Sequence, residues 1–315
     1  MARRDMSRGR QEKRDRMSLP DAQALVDALA LGSIYALVAV GIGLVFGVMR
    51  LINFAYGELI TAGAYTLAYT GGWPPALSIA ACVGAVVALA LVQERVAFRP
   101  LRRLGASPAT MLVATFAVSF LLQAIYLIAF GSRGQIVGTL GQLNEAFSVA
   151  GVDIRWILLV TFVTGLLLLA ATAALLGRTS IGLHIRAAAA DFRTARILGI
   201  EANRVIMLSF VVAGVLAAAV SVLYTVSNPL VQPSLGVPIT IFALVGVVVG
   251  GLDRLWSAAL GGFAVGVVYG LFDDVLSSTS SVYLPSVVYG VVIAVLLLRP
   301  TGLFAPLRGA QVERV

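Results

Sequence analysis

The stretch VMRLINFAYGELITAGAY, residues 48–65, sets Arg50, Asn53 and Glu58 among apolar side chains. A charge or amide at bilayer depth is costly and normally faces the bundle interior or water, beside a partner. Whether this stretch crosses, enters or breaks decides the path of the chain on both sides of it. Its surroundings have membrane character: the 315 residues are 59% hydrophobic and 12% charged, with a mean hydropathy of +0.96. Uncharged runs at 28–49, 73–93, 104–132, 156–177, 205–227 and 275–298 each supply the roughly 20 residues a spanning helix needs. The run 228–252 is interrupted by prolines. No apolar–polar alternation of the outer-membrane-barrel kind is present, so the spans read as helices. The expectation is an all-α, polytopic transmembrane helical bundle with about eight spanning helices and a broken or re-entrant segment. The single cysteine, Cys82, excludes an intramolecular disulfide framework.

Orientation follows the Lys and Arg of short loops. Residues 1–17 hold seven basic and three acidic groups, 94–103 four and one, 178–204 five and two, and 299–315 three and one. These segments are expected to be cytoplasmic, with both termini inside, and they account for the basic balance without pointing to nucleic acid. By contrast, 131–155 carries two groups of each sign, 228–237 none, and 273–274 is Asp-Asp, so these read as external. Three apolar segments, 28–49, 51–70 and 73–93, then lie between two cytoplasmic ones, and an odd number of crossings cannot join them. The segment expected not to cross is 51–70, read as broken or re-entrant, because irregular backbone at membrane depth is tolerated where it lines a protein cavity. The short segment 239–252, followed by Gly261 and Gly262, is a second candidate. The expected layout is a basic cytoplasmic tail (1–20), one transmembrane domain (21–304) and a cytoplasmic tail (305–315). The apolar run behind the basic N-terminus is too long for a cleaved signal and reads as a retained anchor. Residues 1–16, ahead of Met17, read equally as native chain or as an over-extended start.

No GxxxxGK[ST], dinucleotide fingerprint, zinc spacing or HExxH occurs, so no catalytic residue, metal or cofactor of the chain's own is expected, and no ATP hydrolysis by the chain alone. His184 reads as structural. On a helix, Glu58, Thr61 and Tyr65 share one face by i, i+3, i+7 spacing, while Asn53 and Gly57 share another by i, i+4. Two readings stay open: Asn53 and Glu58 line a path, or Glu58 satisfies the free N–H groups of a half-helix N-terminus. Gly-xxx-Gly spacing recurs at Gly43/Gly47 and Gly246/Gly250, and the double repeat Gly262, Gly266, Gly270 is the expected helix-packing face. The polar stretch GRTSIGLHIRAAAADFRTARILGIEANRV, 177–205, is helix-like, with Ala188, Asp191, Ala195 and Leu198 in register and Gly199 as terminator. It reads equally as a solvated loop or as a small-residue tip whose Arg186, Arg193 and Arg196 reach a partner's carboxylates. The uncharged, proline-rich SNPLVQPSLGVP, 227–238, reads as a stiff external loop.

Four stretches, GLVFGVMRLINFAYGELITAGAY (43–65), RAAAADFRTARILGIEANRV (186–205), VVGGLDRLWSAALGGFAVGV (248–267) and RPTGLF (299–304), resemble the signature regions of the branched-chain amino-acid ABC importer permeases, closest to the LivH-type subunit. The resemblance implies a multi-pass subunit of the bacterial inner (plasma) membrane. It also implies a second permease subunit of the same superfamily, two cytoplasmic ATP-binding subunits that use the ATP, and an external solute-binding protein. By the same resemblance 178–204 is the coupling loop onto the ATPases, with Arg186, Asp191, Arg193, Ala195, Arg196 and Gly199 in that role. Asn53, Tyr56, Gly57, Glu58, Thr61 and Tyr65 then belong to the translocation path or its broken segment. Tyr56 stands where the family commonly has histidine, Trp256-Ser257 where it has Pro-Gly, and Leu183 where an Arg is frequent. The alternatives are a urea or short-amide permease and, from another class, an ion-coupled transporter or channel. The latter needs intramembrane charges, of which Glu58 is the one acidic residue plausibly placed.

Overall fold

A computed structural model of the chain describes residues 22–149, 152–190, 192–197, 199–251, 254–275 and 283–299. In order, the helices are α1 (Ala22–Met49), α2 (Tyr56–Tyr69), α3 (Pro75–Val92), α4 (Pro108–Phe130), α5 (Trp156–Arg178), α6 (Ser180–Ala190), α7 (Phe192–Ile197), α8 (Ala202–Ser227), α9 (Gly236–Gly250), α10 (Leu255–Val275) and α11 (Leu284–Leu298). Beyond Val92, α3 runs through a π turn, Gln93–Phe98, into a further helical stretch, Arg99–Arg103. Two small antiparallel ribbons complete the described chain: β1 (Gln135–Ile136) with β4 (Leu230–Val231), and β2 (Ala146–Val149) with β3 (Val152–Arg155).

Six helices among the described residues are long and apolar enough to cross a membrane: α1, α3 with its extension, α4, α5, α8 and α10. Two shorter apolar helices, α9 and α11 (its stretch Leu284–Val295), bring the number to the expected eight. The first of them is the hub. Of its apolar stretch 83% is buried, against 22% for α3 and 28% for α4 and for α5; α5, α8, α9 and α10 pack around α1, while α3 and α4 pack outside it against α2 and turn outer faces to lipid. Lipid tails are as apolar as leucine, so helices associate here through close approach and dispersion rather than through release of water.

The close approach is made by glycine. A methyl group added at Gly262 would sit 2.6 Å from the Tyr35 carbonyl oxygen, one at Gly266 2.6 Å from the Gly32 Cα, and one at Gly270 2.7 Å from the Ala28 Cα. The ridge Gly262, Gly266, Gly270 therefore lies antiparallel along α1. The neighbouring Gly261 turns the other way, with its missing side chain 2.6 Å from the Gly250 Cα, and Gly246 meets Gly262 in the same seam. The Gly246/Gly250 pair thus packs α9 against α10, although its spacing is no more distinctive in the sequence than a chance pair.

The bundle has two distinct ends. At the arginine-rich end, Arg50 Nη2 donates to the Ala189 carbonyl (2.9 Å), and Arg102 reaches Met49 Sδ (3.8 Å) and Glu94 (2.7 Å). At the strand end, Arg155 pairs with Asp27 (3.5 Å), Asn144 Nδ2 donates to the Val226 carbonyl, and Thr139 Oγ1 donates to the Leu67 carbonyl. Met49 and Arg50 therefore sit with 94–103 and 178–204, as expected for 94–103 and 178–204 together. The start of α1 sits at the opposite end, which corrects the expectation that the chain enters α1 from the side of 94–103. Residues 1–21 lie outside the described residues.

Segment 51–70 is correspondingly broken rather than re-entrant. It leaves Arg50 at the arginine-rich end and reaches Thr70 at the strand end, so its two halves together make one crossing. The parity conflict in the charge map is resolved by the direction of α1, not by a segment that fails to cross. The fourteen residues of α2 rise about 21 Å, too short for the roughly 30 Å hydrocarbon core, and the remaining depth is covered by the non-helical Leu51–Ala55.

Candidate functional site

The break opens at Arg50, whose φ of 52° is left-handed, so α1 cannot continue through it. Leu51 and Ile52 carry no regular structure, and Asn53 leads into the next helix: its Oδ1 accepts from the Ala55 N–H (3.0 Å), an Asx-type turn. Gln93 Nε2 donates to the Ala55 carbonyl (3.2 Å). The π turn of α3 is what makes this possible. Consecutive α-helical residues point about 100° apart, but the wider turn carries both Gln93 and Glu94 inward, to full burial. Glu94 is answered by Arg102 at 2.7 Å, so the buried charge is paired.

The side chain that satisfies the start of α2 is Asn53, not Glu58. Glu58 reaches sideways to α4, where its Oε1 accepts from Ser119 Oγ (2.9 Å) and Gln123 Nε2 (3.0 Å), while Tyr126 donates to its backbone carbonyl (2.9 Å). Tyr65 continues this face, stacked on Phe130 with ring centroids 4.3 Å apart. Thr61 departs from it. Its Oγ1 donates to the Gly57 carbonyl (3.2 Å) and accepts from the Gly236 N–H (3.0 Å), so Thr61 and Gly57 face α9 while Glu58 and Tyr65 face α4. Tyr56 points into the hub, with its hydroxyl donating to the Ala213 carbonyl near the middle of α8 (3.1 Å) and lying against Gly41. Ser221 Oγ donates to the Ile60 carbonyl (2.8 Å), which fixes α2 parallel to the outer half of α8.

The first turns of two short helices therefore meet at mid-bundle. Gly57 and Gly236 touch backbone to backbone: a methyl at Gly57 would lie 2.5 Å from the Gly236 carbonyl oxygen and 2.6 Å from Thr240 Oγ1, and one at Gly236 would fall onto the Gly57 carbonyl. Discontinuous helices whose positive N-terminal ends face one another inside a bundle are a construction that membrane transport proteins use. Asn53, Tyr56, Gly57, Glu58 and Thr61 lie at or beside this junction, Tyr65 lies further along α2 against α4, and all six are buried. The partners Ser119, Gln123 and Tyr126 on α4 are absent from the sequence reading, although their i, i+4, i+7 spacing in an apolar run carries the signal.

At the arginine-rich end, the described residues of 178–204 are helical over Ser180–Ala190 and Phe192–Ile197. Thr179 starts α6, accepting from the Gly182 N–H at 3.1 Å. Gly199, at φ +86°, closes the segment after α7. Arg186 is exposed and donates to the Gly177 carbonyl (3.4 Å), and Ala195 is buried. Asp191 and the side chains of Arg193 and Arg196 lie outside the described residues. Ile197, an apolar side chain on α7, is 78% exposed.

Breaking the Glu94–Arg102 pair is expected to cost about 3–5 kcal/mol, the penalty of a buried charge left alone. Arg102→Ala should lower the thermal unfolding midpoint of the purified chain markedly, and Glu94→Gln together with Arg102→Met should recover most of the loss. An unchanged midpoint in Arg102→Ala would mean that the pair is not structural.

A ring of lipid-facing helices around a buried hub, two half-helices meeting at mid-depth and a basic small-residue tip define a polytopic membrane permease. The chain belongs to the family described as branched-chain amino acid transport system / permease component, whose model matches residues 24–298. It is 33% identical over 299 residues to the high-affinity branched-chain amino acid transport system permease protein BraD of Pseudomonas aeruginosa, covering 90% of this chain and 95% of that one. It is 32% identical over 304 residues to the corresponding LivH of Escherichia coli K12, covering 90% and 94%. Among solved structures, an inward-facing conformation of a putative metal-chelate type ABC transporter matches with a TM-score of 0.51 at 18% identity, over 89% of this chain and 87% of that one, a likeness of fold.

Proposed function

We propose that this chain is the membrane subunit of an ATP-driven importer of leucine, isoleucine and valine. It works beside a second permease of its superfamily, two ATP-binding subunits at the arginine-rich end and a solute-binding protein at the strand end. The observation that carries this reading is the family match across residues 24–298, which takes in the broken helix and the α6–α7 tip together. The basic segments 94–103 and 178–204 share the arginine-rich end, and the positive-inside rule places that end in the cytoplasm. The tip and the break are joined directly. Arg50 holds the Ala189 carbonyl of α6 at 2.9 Å and stands three residues before Asn53, so a displaced tip pulls on the start of the broken crossing. The Gly57–Gly236 contact then passes the movement from α2 to α9. Through Oε1, Glu58 accepts from Ser119 and Gln123, a positioning role that ties α2 to α4.

Vesicles containing the chain with its ATP-binding subunits and binding protein are expected to accumulate radiolabelled leucine only when ATP is present on the arginine-rich side. Uptake of urea or acetamide in place of leucine would transfer the reading to an amide importer. Uptake driven by a proton or sodium gradient without ATP would replace it with secondary transport.

A further inference from the structure

A second feature of the arginine-rich end is unused by this scheme. Between α1, α5, α6 and α10 lies a half-open cavity of about 500 Å³. Its floor is apolar, built from residues such as Gly47 and Leu176, and three guanidinium groups, Arg50, Arg186 and Arg254, stand around it. Among the described residues no carboxylate lines it, and no ion pair engages any of the three. Arg50 and Arg186 each spend a donor on a backbone carbonyl, at 2.9 Å and 3.4 Å, which leaves most of the five N–H groups of each fork available. Trp256 lines the same cavity and is 61% exposed. Indole rings settle at the membrane–water interface, so this places the cavity at headgroup depth.

We propose that this cavity binds one anionic phospholipid, with its phosphate among the three guanidiniums and its first methylenes along the apolar floor. An apolar slot capped by unpaired positive charge suits a molecule that carries both properties, and basic pockets between transmembrane helices on the cytoplasmic side take anionic headgroups. Because α6 and α1 both line the cavity, the lipid would brace the joint between the tip and the broken crossing. The proposal rests on the membrane depth of this end and not on the transported substrate.

Trp256 supplies the probe. The chain has three tryptophans, and in a Trp73→Phe/Trp156→Phe background Trp256 is the one left. The full chain in bilayer discs is titrated with phosphatidylglycerol or phosphatidylcholine brominated on the acyl chain. Half-quenching of Trp256 is expected at a mole fraction of phosphatidylglycerol at least about fivefold below that of phosphatidylcholine, the scale of one basic residue at a membrane surface. Arg50→Gln/Arg254→Gln should abolish the difference, and Arg50→Lys/Arg254→Lys should retain it. Equal quenching by the two lipids in the unsubstituted arginine protein, which needs no variant to fold, would overturn the proposal. So would a preference that survives in the glutamine variant, or one erased by excess inorganic phosphate, which would assign the guanidiniums to a soluble anion.

Discussion

Gly236→Ala is expected to abolish transport and to destabilise the chain by at least about 3 kcal/mol, at the upper end of what overpacking costs. The added methyl would fall onto the Gly57 carbonyl and lie 2.8 Å from Thr61 Oγ1. The opposing atoms are backbone, held by the Thr61–Gly236 hydrogen bond and by the first turn of α2, so no side-chain rotation makes room. Separating the two helices instead would break the junction. Gly84 is the matched control. It lies within α3 with open space around it, so Gly84→Ala should be neutral or stabilise by about 0.5–1 kcal/mol, the ordinary helix preference for alanine. Thermal unfolding of both purified variants, followed by tryptophan fluorescence, separates the two cases. Equal stability of Gly236→Ala and the parent would show that the half-helices do not touch.

The spanning helices and the Gly262–Gly270 ridge were legible in the sequence, because each is a one-dimensional property: length of an apolar run in one case, a period of four small residues in the other. The direction of α1 was not. The positive-inside rule weighs 1–17 with the other basic segments, whereas the neighbours of Asp27 and Met49 fix which end of α1 is which. With that direction reversed, the crossing count is satisfied when 51–70 spans as a loop and a half-helix. The polar residues of the break were found and partly misassigned. Asn53 stood out as an amide in an apolar run but was set on a helix face with Gly57, whereas it precedes the helix; spacing alone also put Thr61 on the face of Glu58, because a 14-residue helix between α4 and α9 has two buried faces and periodicity does not say which neighbour each one meets. Ser119, Gln123 and Tyr126 escaped notice because hydroxyls and amides scarcely lower the hydropathy of a long apolar run. The π turn at Gln93–Phe98 has no pattern of its own and becomes visible only when two adjacent polar residues are both found buried.

Ile197 was legible only as one more apolar residue of a helix, and it carries the second large expectation. At 78% exposure on α7 it offers the tip a side chain suited to a partner's pocket. An apolar anchor of this kind typically carries about 2 kcal/mol or more at an interface. A carboxylate in its place should weaken docking of the ATP-binding subunits by about 30-fold or more, while leaving the bundle untouched, since an exposed position has little packing to lose. The decisive measurement is of leucine uptake and ATP hydrolysis in the same vesicles, comparing Ile197→Asp with the parent at equal amounts of folded chain. A tip that couples ATP hydrolysis to the broken crossing requires uptake to collapse and the ATP-binding subunits to be lost on purification. Full uptake with ATP-binding subunits still bound in stoichiometric amounts would contradict it.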